Sequence, residues 1–372
     1  MVNDVRRTLC LCNTYFQLIV LIQMKQTLLK ECQVDVLLSD HSANAATIAA
    51  RLQQENIFSN VTLICTKESD KKQKGIWKEI KSILSIVSLK TASWLKQLEE
   101  VKYDELLFFN IGLSTIALYN VLKGKNPDLV CSIYEEGVFN YNAPQLFLIE
   151  KGLSGRVRFA ESVNALHGRK KLLRDIRTFY CMYPQLYQGP LSVCKIPVGD
   201  MAATEKTLQK AFLAESTAPG YQQKYIYLSS ICDFEGGTSI GELALVKQIA
   251  ALVGQKNLLV KVHPRDEAKR FLREGLCVDE NSDIPWEVVQ MNGNFSGHVL
   301  LTATSASVLS GVLLSKQKTQ VYFLYPLCNT EGNCLAKRSI AALNDVLVRL
   351  QDNMVLQNVH ICKELREILS EK

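Results

Sequence analysis

The sequence predicts an α/β protein made of two Rossmann-like domains that face a central cleft. The chain has 372 residues, which is long for one ordinary domain and comfortable for two. Short apolar runs alternate with longer segments of helical spacing, and this alternation stops in mid-chain and then restarts. Two such βα blocks predict two mostly parallel sheets, each covered by helices on both faces. We place the domains at residues 1–210 and 211–372.

The first block begins with a strand that leads into a helix, because Thr14-x-x-Gln17 fits a capping box directly after an apolar run. The other elements follow from the length and spacing of the apolar runs. The predicted strands are Thr8–Leu11, Val34–Leu38, Val61–Cys65, Leu106–Phe109 and Leu129–Ile133. The predicted helices are Tyr15–Lys30, Ala43–Asn56, Ile76–Leu98 and Ser114–Leu122.

The stretch Asn140–Ala218 is irregular and is punctuated by aromatic residues and prolines. After it the alternation of strands and helices resumes. The predicted strands of the second block are Tyr225–Leu228, Leu258–Val262, His298–Thr302 and Gln320–Leu324. The predicted helices are Gly241–Leu252, Arg265–Arg273, Ala306–Leu314 and Ala336–Leu350.

Composition excludes several classes of protein. With 47% hydrophobic and 22% charged residues the chain is globular, not disordered or fibrous. Its net charge of +6 suits an anionic ligand or a membrane surface, but is far too small for a dedicated nucleic-acid binder. The twelve cysteines form no C-x-x-C pair and no zinc-like cluster with histidine. We therefore expect reduced, mostly buried cysteines that serve packing.

We expect no secretion signal and no transmembrane helix. Arg6 and Arg7 precede an apolar stretch, but polar residues from Asn13 to Gln23 interrupt it and no small-residue cleavage site follows. The longest stretch without Asp, Glu, Lys or Arg, Val288–Ser315, is also broken by polar residues. These features predict a cytoplasmic protein.

Ligands of open α/β sheets bind beyond the carboxyl ends of the strands, so the loops after the strands are the places to search. In the first block, Glu135 and Glu136 follow a strand and precede Gly137. Such adjacent carboxylates on a tight turn could supply a general base or bind hydroxyls, while the alternative is an ordinary acidic surface turn.

Three further loops lie in the second block. His263-Pro264-Arg265 ends an apolar strand, and the proline favours an extended backbone at the histidine, which suits contact with an anionic oxygen. The turn Thr302–Ser307 precedes a helix and could cap it or bind phosphate. The candidate ligand groups of this turn are Thr304, Ser305 and Ser307. The third loop follows the first strand of the block, and its candidate groups are Ser229, Ser230 and Asp233.

The order of these motifs resembles that of the bacterial sialyltransferases: an acidic pair with glycine, then His-Pro, then a Ser/Thr-rich turn. The opening Leu11-Cys12-Asn13-Thr14-Tyr15-Phe16-Gln17 also resembles the start of glycosyltransferase family 52, which includes lipooligosaccharide and capsule sialyltransferases. The resemblance implies a GT-B enzyme that needs no cofactor and no metal. It would move sialic acid from CMP-sialic acid, with inversion, to a galactose-type hydroxyl of a bacterial surface glycan.

The resemblance also implies roles for individual residues. His263 would engage the donor phosphate with Pro264 and Arg265 beside it, and Glu287 would hold the cytidine ribose. Asp233 matches the general base of one branch of the family. In other branches of the group, the general base comes from the acidic motif. That motif is Asp-Asp-Gly in those sialyltransferases and Glu-Glu-Gly in this sequence. Glu135 and Glu136 are therefore alternatives to Asp233 as the general base. The branch with the aspartate base usually has a membrane segment, which this sequence lacks.

The chain also has two basic stretches, Lys67–Lys81 and Arg169–Arg177. They are interpreted either as docking sites for anionic lipid on the inner face of the cytoplasmic membrane, where lipid-linked acceptors reside, or as solvated helix faces. A homodimer is a further expectation, and nucleic acid is not expected as a partner. Two alternative functions stay open: a GT-B transferase with another nucleotide sugar, and a non-catalytic nucleotide- or sugar-binding module of a polysaccharide assembly complex.

Overall fold

The computed structural model describes most of the chain: residues 5–40, 44–66, 75–87, 95, 98, 100–141, 155–166, 169–213, 220–235, 237–263, 266, 268–315, 317–353 and 357–369. The chain divides into two compact units. The first comprises residues 1–136 and 140–207, and the second comprises residues 137–139 and 208–372.

The first unit contains a seven-stranded parallel sheet with the order β3-β2-β1-β4-β5-β6-β7. The interior strand β1 is buried from Thr8 onward, and its neighbours pair with it in register, for example Cys10 with Val36 and with Leu107. The strands are β1 Arg7–Cys12, β2 Gln33–Ser39, β3 Asn60–Ile64, β4 Glu105–Phe108, β5 Val130–Tyr134, β6 Ile176–Cys181 and β7 Ser192–Lys195.

The helices of the first unit differ in how deeply they are buried. Helix α1 begins at the predicted capping box, in which the Gln17 N–H donates to Thr14 Oγ1 and the Thr14 N–H donates to Gln17 Oε1. Every residue of α1 from Gln17 to Met24 is buried, so this helix is covered on all sides. The helices are α1 Tyr15–Gln26, α2 Ala45–Gln54, α3 Ile76–Val87, α4 Leu113–Lys125, α5 Gly155–Leu166, α6 Leu172–Asp175 and α7 Met201–Leu208.

The second unit contains a six-stranded parallel sheet with the order β10-β9-β8-β11-β12-β13. Its three middle strands are fully buried, and Tyr227 of β8 is paired with Val260 on one side and with Leu301 on the other. The strands are β8 Tyr225–Leu228, β9 Leu258–Lys261, β10 Cys277–Val278, β11 Val299–Thr302, β12 Gln320–Phe323 and β13 Val359–Ile361.

The helices of the second unit are α8 Cys232–Glu235, α9 Glu242–Val253, α10 Ala268–Leu272, α11 Trp286–Asn292, α12 Ser307–Ser315 and α13 Cys334–Asp352. The apolar face of α9, with Leu245, Val246 and Ile249, packs with Tyr227 and Val260 in the core against the sheet. In both sheets the strand order is that of the doubly wound fold, in which the chain reverses its direction of winding beside the first strand. This point of reversal lies between β1 and β4 in the first unit and between β8 and β11 in the second.

The predicted α/β class with two parallel sheets is confirmed, and so are all nine predicted strands to within a few residues. The prediction missed β6, β7 and the helices α5 to α7, all of which lie in the stretch interpreted as irregular, as well as β10 and β13. Helix α1 ends at Gln26, before the predicted Lys30. Part of the predicted helix Ile76–Leu98 lies outside the described residues.

The cysteines are unpaired by disulfides, as expected, but only some of them serve packing. Cys65 and Cys334 are exposed, which contradicts the expectation for those two positions. The buried cysteines are Cys10, Cys12, Cys131, Cys181, Cys232 and Cys362.

Candidate active site

The second sheet brings three of the predicted loops together, because β8 lies between β9 and β11. Parallel strands have their carboxyl ends at the same edge of the sheet. The loops that follow these strands begin with Ser229 after β8, Val262 after β9 and Ala303 after β11. The point of reversal, where ligands of such sheets bind, is therefore surrounded by hydroxyl groups and by His263.

Hydrogen bonds between the loops after β8 and β9 hold the backbone of His263. Ser229 Oγ accepts the N–H of His263 at 2.9 Å and donates to Asp266 Oδ2 at 3.0 Å. The N–H of Asp266 donates to the carbonyl of His263 at 2.8 Å. His263 is partly buried, while Pro264 and Arg265 lie outside the described residues.

The loop after β11 is anchored to β8 by its own threonine. Thr302 Oγ1 donates to the carbonyl of Leu228 at 2.8 Å and accepts the N–H of Ser305 at 2.9 Å. Beyond this anchor, the hydroxyls of Ser305 and Ser307 are 2.8 Å apart at the beginning of α12. Thr304 Oγ1 is buried 3.2 Å from the sulfur of Cys232.

Arg270 of α10 binds three carboxylates from three different segments. Its Nη1 is 2.7 Å from Asp233 Oδ2, and its Nη2 is 2.7 Å from Glu242 Oε2 and 2.6 Å from Asp266 Oδ2. The other oxygen of Asp233 accepts the N–H of Ile240 at 2.7 Å and the Ser239 hydroxyl at 3.0 Å. Both carboxylate oxygens of Asp233 therefore already have hydrogen-bond donors within the protein.

Glu242 is fully buried beneath this cluster, at the beginning of α9. Its Oε1 accepts the N–H of Ser230 at 2.9 Å and the Tyr227 hydroxyl at 3.0 Å. Burial raises the pKa of Glu242 to about 7 although the Arg270 guanidinium opposes the rise. Glu242 therefore holds the backbone of the loop after β8 from below.

Glu287 is buried in the first turn of α11, where burial raises its pKa to about 7 and the nearby Lys261 ammonium opposes the rise. Lys261 itself is bound to Asp279, with Nζ 2.8 Å from Oδ2. The Tyr221 hydroxyl donates to the same oxygen at 2.6 Å. The end of β9 thus carries a buried cation that is bound to Asp279 and acts on Glu287.

In the first unit, the two adjacent acids after β5 have different surroundings. The carboxylate of Glu135 is buried, and its Oε2 accepts the Tyr141 hydroxyl at 2.8 Å and the N–H of Met182 at 2.9 Å. Because β6 lies beside β5, these bonds connect the ends of the two strands. Burial raises the pKa of Glu135 to about 7, and the two donors oppose the rise.

Glu136 is only partly buried and lies at the point of the turn. Its backbone N–H donates to Asn140 Oδ1, and Gly137 follows with a φ of +142°, a conformation that glycine adopts readily. Desolvation raises the pKa of Glu136 to about 7, opposed by the side chain of Gln17 at the beginning of α1. A carboxylate in this state accepts a proton near neutral pH.

Most of the sequence-predicted site residues lie in the second unit. Ser229, Ser230, Asp233, His263, Thr304, Ser305 and Ser307 lie in the loops after β8, β9 and β11, and Glu287 lies on α11. Glu135 and Glu136 lie in the first unit. The sequence analysis missed Asp266, Arg270 and Glu242, although the i, i+4 spacing of Asp266 and Arg270 could have indicated their ion pair.

Among the described residues, no three or more His, Cys, Asp and Glu side chains are arranged to hold a metal ion. Within the same residues, no helix combines the length and the apolar composition needed to cross a bilayer.

The chain has the GT-B fold, which consists of two parallel-sheet α/β domains. A UDP-N-acetylglucosamine 2-epimerase from Listeria monocytogenes superimposes with a TM-score of 0.50 over 94% of this chain and 89% of its own, at 9% identity. MurG from Acinetobacter baumannii matches 96% of this chain and 86% of its own at 11% identity and a TM-score of 0.44. The glycosyltransferase SsfS6 from Streptomyces sp. SF2575 matches 98% and 89% at 11% identity and a TM-score of 0.49.

The family model of the alpha-2,8-polysialyltransferases (POLYST) matches residues 8–321. The chain therefore belongs to this family, and it is a glycosyltransferase. This confirms the resemblance to bacterial sialyltransferases at the level of the family model, while the narrower assignment to family 52 stays a prediction. No curated protein matches the sequence.

Proposed function

We propose that this chain is an inverting sialyltransferase that moves sialic acid from CMP-sialic acid to a hydroxyl of a bacterial surface glycan. The observation that supports this most is the convergence of Ser229, His263 and Ser305 at the carboxyl edge of the second sheet, in a member of a sialyltransferase family. The proposed glycan is a capsule or a lipooligosaccharide.

The donor binds, in this proposal, at the point of reversal of the second sheet. The departing CMP carries a phosphate on which negative charge develops in the transition state. The hydroxyls of Thr304, Ser305 and Ser307 and the imidazole of His263 donate hydrogen bonds to it, with Arg265 adding charge. Ser229 and Ser230 hold the loop beside the phosphate, and Glu287 accepts from the ribose hydroxyls.

Glu136 is the general base that we favour, because the described contacts of the three candidates differ. Asp233 is bound by Arg270 and by two further donors, and Glu135 is buried with two donors of its own. Glu136 is partly exposed on a turn at the end of β5. In the proposed step Glu136 takes the proton of the acceptor hydroxyl, the oxygen bonds to the anomeric carbon, and the bond to the CMP phosphate breaks.

Two acceptor hydroxyls fit the proposal. The sequence resemblance suggests a galactose-type hydroxyl, whereas the description of the family names an alpha-2,8 linkage, which suggests the 8-hydroxyl of a preceding sialic acid. We favour the second, because the family model matches most of the chain. The catalytic step needs no metal ion in this proposal.

The donor assignment is tested by the shift in unfolding temperature that CMP, UDP and GDP cause, each without a metal ion. We expect CMP to give the largest shift, since a ligand that binds only the folded state stabilises it in proportion to the logarithm of its concentration over Kd. Equal shifts with all three nucleotides would contradict the CMP assignment and would favour another nucleotide sugar.

Turnover of CMP-sialate separates an enzyme from a binding module. We expect His263→Ala to lose both hydrolysis and transfer while it keeps the unfolding temperature of the wild type. Affinity for CMP without turnover in the wild-type protein, with any sialylated or galactosylated acceptor, would favour the non-catalytic module.

A further inference from the structure

A surface of the first unit outside the candidate active site has an unusual combination of exposed side chains. Helices α3 and α5 pack against each other and against the buried helix α4, and an ion pair between Glu79 and Arg156 joins their first turns. Their outer sides carry Trp77, Lys81 and Leu84 on α3 and Arg158, Phe159 and Leu166 on α5. We call these six residues the α3–α5 surface.

The apolar residues of this surface are exposed because they lie opposite the packed sides of their helices. Trp77, Lys81 and Leu84 are spaced i, i+4 and i+7, which places them on one side of α3, whereas Ile83 on another side is buried. Trp77 is 79% exposed and Leu84 42% exposed. Ile76, immediately before Trp77, is 72% exposed.

Helix α5 repeats the arrangement. Phe159 and Leu166 are spaced i and i+7, and they are 39% and 86% exposed, whereas Val157, Ala160 and Val163 are buried. Exposed large apolar side chains that lie singly are ordinary, but a row of them on two adjoining helices is typical of a binding surface.

On α3, on α5 and in the segment that follows α5, exposed and buried charges differ in sign. Lys78 and Lys81 on α3, Arg158 on α5, and Lys170 and Arg174 beyond it are exposed. The acids of the same segments are withdrawn from solvent: Glu79 is bound to Arg156, Glu161 and Asp175 are buried, and Asp175 is bound to Lys123. The two helices therefore have exposed cations beside exposed aromatic and aliphatic side chains, while the acids of the same segments are buried or ion-paired.

We propose that the α3–α5 surface docks on an anionic lipid bilayer. Helices that lie in the interface of a bilayer have this composition: tryptophan, phenylalanine and leucine enter the boundary between headgroups and acyl chains, while lysine and arginine bind anionic headgroups. A protein partner would be expected to leave fewer cations around the apolar residues, since interfaces between proteins are depleted of lysine. In this proposal, cations from both basic stretches of the sequence bind lipid headgroups. The proposal is separate from the proposed transfer reaction.

Co-sedimentation of the full chain with vesicles tests the proposal. We expect binding to phosphatidylglycerol/phosphatidylethanolamine vesicles, little binding to phosphatidylcholine vesicles, and a decrease as the salt concentration rises. Lys78→Ala with Lys81→Ala should weaken the binding by about fivefold per lysine. Trp77→Ser with Phe159→Ser should weaken it by about tenfold or more, because the apolar area that enters the bilayer is lost.

Matched controls come from the outer side of α13, where Val348 is 55% exposed and Lys337 and Arg338 are exposed. Val348→Ser, and Lys337→Ala with Arg338→Ala, should bind vesicles like the wild type. Vesicle binding that is equal in the α3–α5 variants and in the wild type overturns the proposal, and so does equal binding to anionic and neutral vesicles. A dimer that dissociates in the Trp77→Ser variant, with no vesicle binding by the wild type, would assign the surface to a second copy instead.

Tryptophan fluorescence gives a second test, in which the variant still binds vesicles. Trp77→Phe keeps an aromatic side chain, so this variant should still bind anionic vesicles, while Trp94 and Trp286 remain as reporters. The wild type should show a blue shift of tryptophan fluorescence on binding, and the variant should lose most of it. An unchanged blue shift in Trp77→Phe would exclude Trp77 from the contact and overturn the proposal.

Discussion

Glu135 and Glu136 are adjacent in the sequence, yet the ends of β5 and β6 give them different chemistry. Glu135 accepts hydrogen bonds from Tyr141 and Met182 and thereby holds the loop after β6. Glu136 is partly exposed, and it lies on a turn that Gly137 completes. We infer that Glu135 positions the turn and that Glu136 exchanges the proton with the acceptor.

Substitution of the three candidate bases tests this division. We expect Glu136→Gln to lower kcat by about 10²–10⁴-fold, the usual contribution of a positioned general base, with little change in KM. Asp233→Asn should mainly lower the free energy of unfolding and should change kcat little, because it removes a carboxylate that binds Arg270. Steady-state kinetics of the two variants and of Glu135→Gln, with unfolding curves as controls, make the comparison.

The pH dependence of kcat/KM adds a readout that a merely structural role would not change. Because the base must be ionised and burial raises the pKa of Glu136 to about 7 in the free protein, kcat/KM of the wild type should rise with pH through neutrality. A few-fold loss in Glu136→Gln with a large loss in Asp233→Asn would instead assign the proton transfer to Asp233.

The types of residue at the site were predictable from the sequence, but their partners were not. His263, Ser229 and Thr304 follow apolar runs, so a local pattern sufficed to place them at the edge of a sheet. Arg270 binds Asp233, which is 37 positions away in the chain, and Glu242, which is 28 positions away. No local spacing encodes such contacts, because they arise only when β8, β9 and α9 have packed together.

At the scale of helices and strands, the predictions succeeded where burial is uniform. β8, β9 and β11 are buried along their whole length and appear in the sequence as continuous apolar runs. β7 at an edge is mostly exposed, and β10 has two residues, both only partly buried. Edge strands of this kind carry little hydrophobic periodicity, and this is why the sequence analysis missed them.

The packing of α11 on α12 yields a prediction for Gly311. A Cβ atom at this position would lie 2.1 Å from Gln290 Oε1 and 2.9 Å from Trp286 Nε1, two side chains that are buried and bonded to each other. Gly311→Ala should therefore push the two helices apart and lower the free energy of unfolding by about 1–3 kcal/mol. Denaturant unfolding measures the change.

Gly297→Ala is the matched control for that substitution, because a Cβ there would have nothing within 4 Å. It should change stability by less than about 0.5 kcal/mol. Similar stabilities of the two alanine variants would show that α11 and α12 tolerate a wider separation than their contacts indicate. Since α11 also carries Glu287, Gly311→Ala should reduce the thermal shift that CMP causes as well.

Over the whole molecule, both units contain carboxyl groups that are withdrawn from water. Glu135 in the first unit and Glu242 and Glu287 in the second are buried, whereas Glu136 in the first unit is partly buried. Desolvation raises the pKa of each to about 7 from an ordinary value near 4.5. The net charge of +6 thus conceals acids that are partly protonated at neutral pH. Two of them, Glu135 and Glu242, hold loops at the carboxyl edges of the two sheets by accepting backbone N–H groups.

These raised pKa values predict how the stability of the whole protein depends on pH. Between pH 4.5 and 7 the folded state keeps protons on these carboxyls that the unfolded state has released, so their contribution to stability falls as the pH rises through this window.

Unfolding by denaturant at about pH 5.5 and at about pH 8 measures the effect, and Glu287→Gln isolates one group, because glutamine fits the site without ionising. The stability of this variant relative to the wild type should be about 1–3 kcal/mol more favourable at the higher pH than at the lower pH. Glu331→Gln, at an exposed position, should not change the slope of stability against pH. A Glu287→Gln variant that loses more stability at the higher pH than at the lower pH would mean that the ionised carboxylate is stabilised in the folded protein, for which Lys261 is the nearby cation.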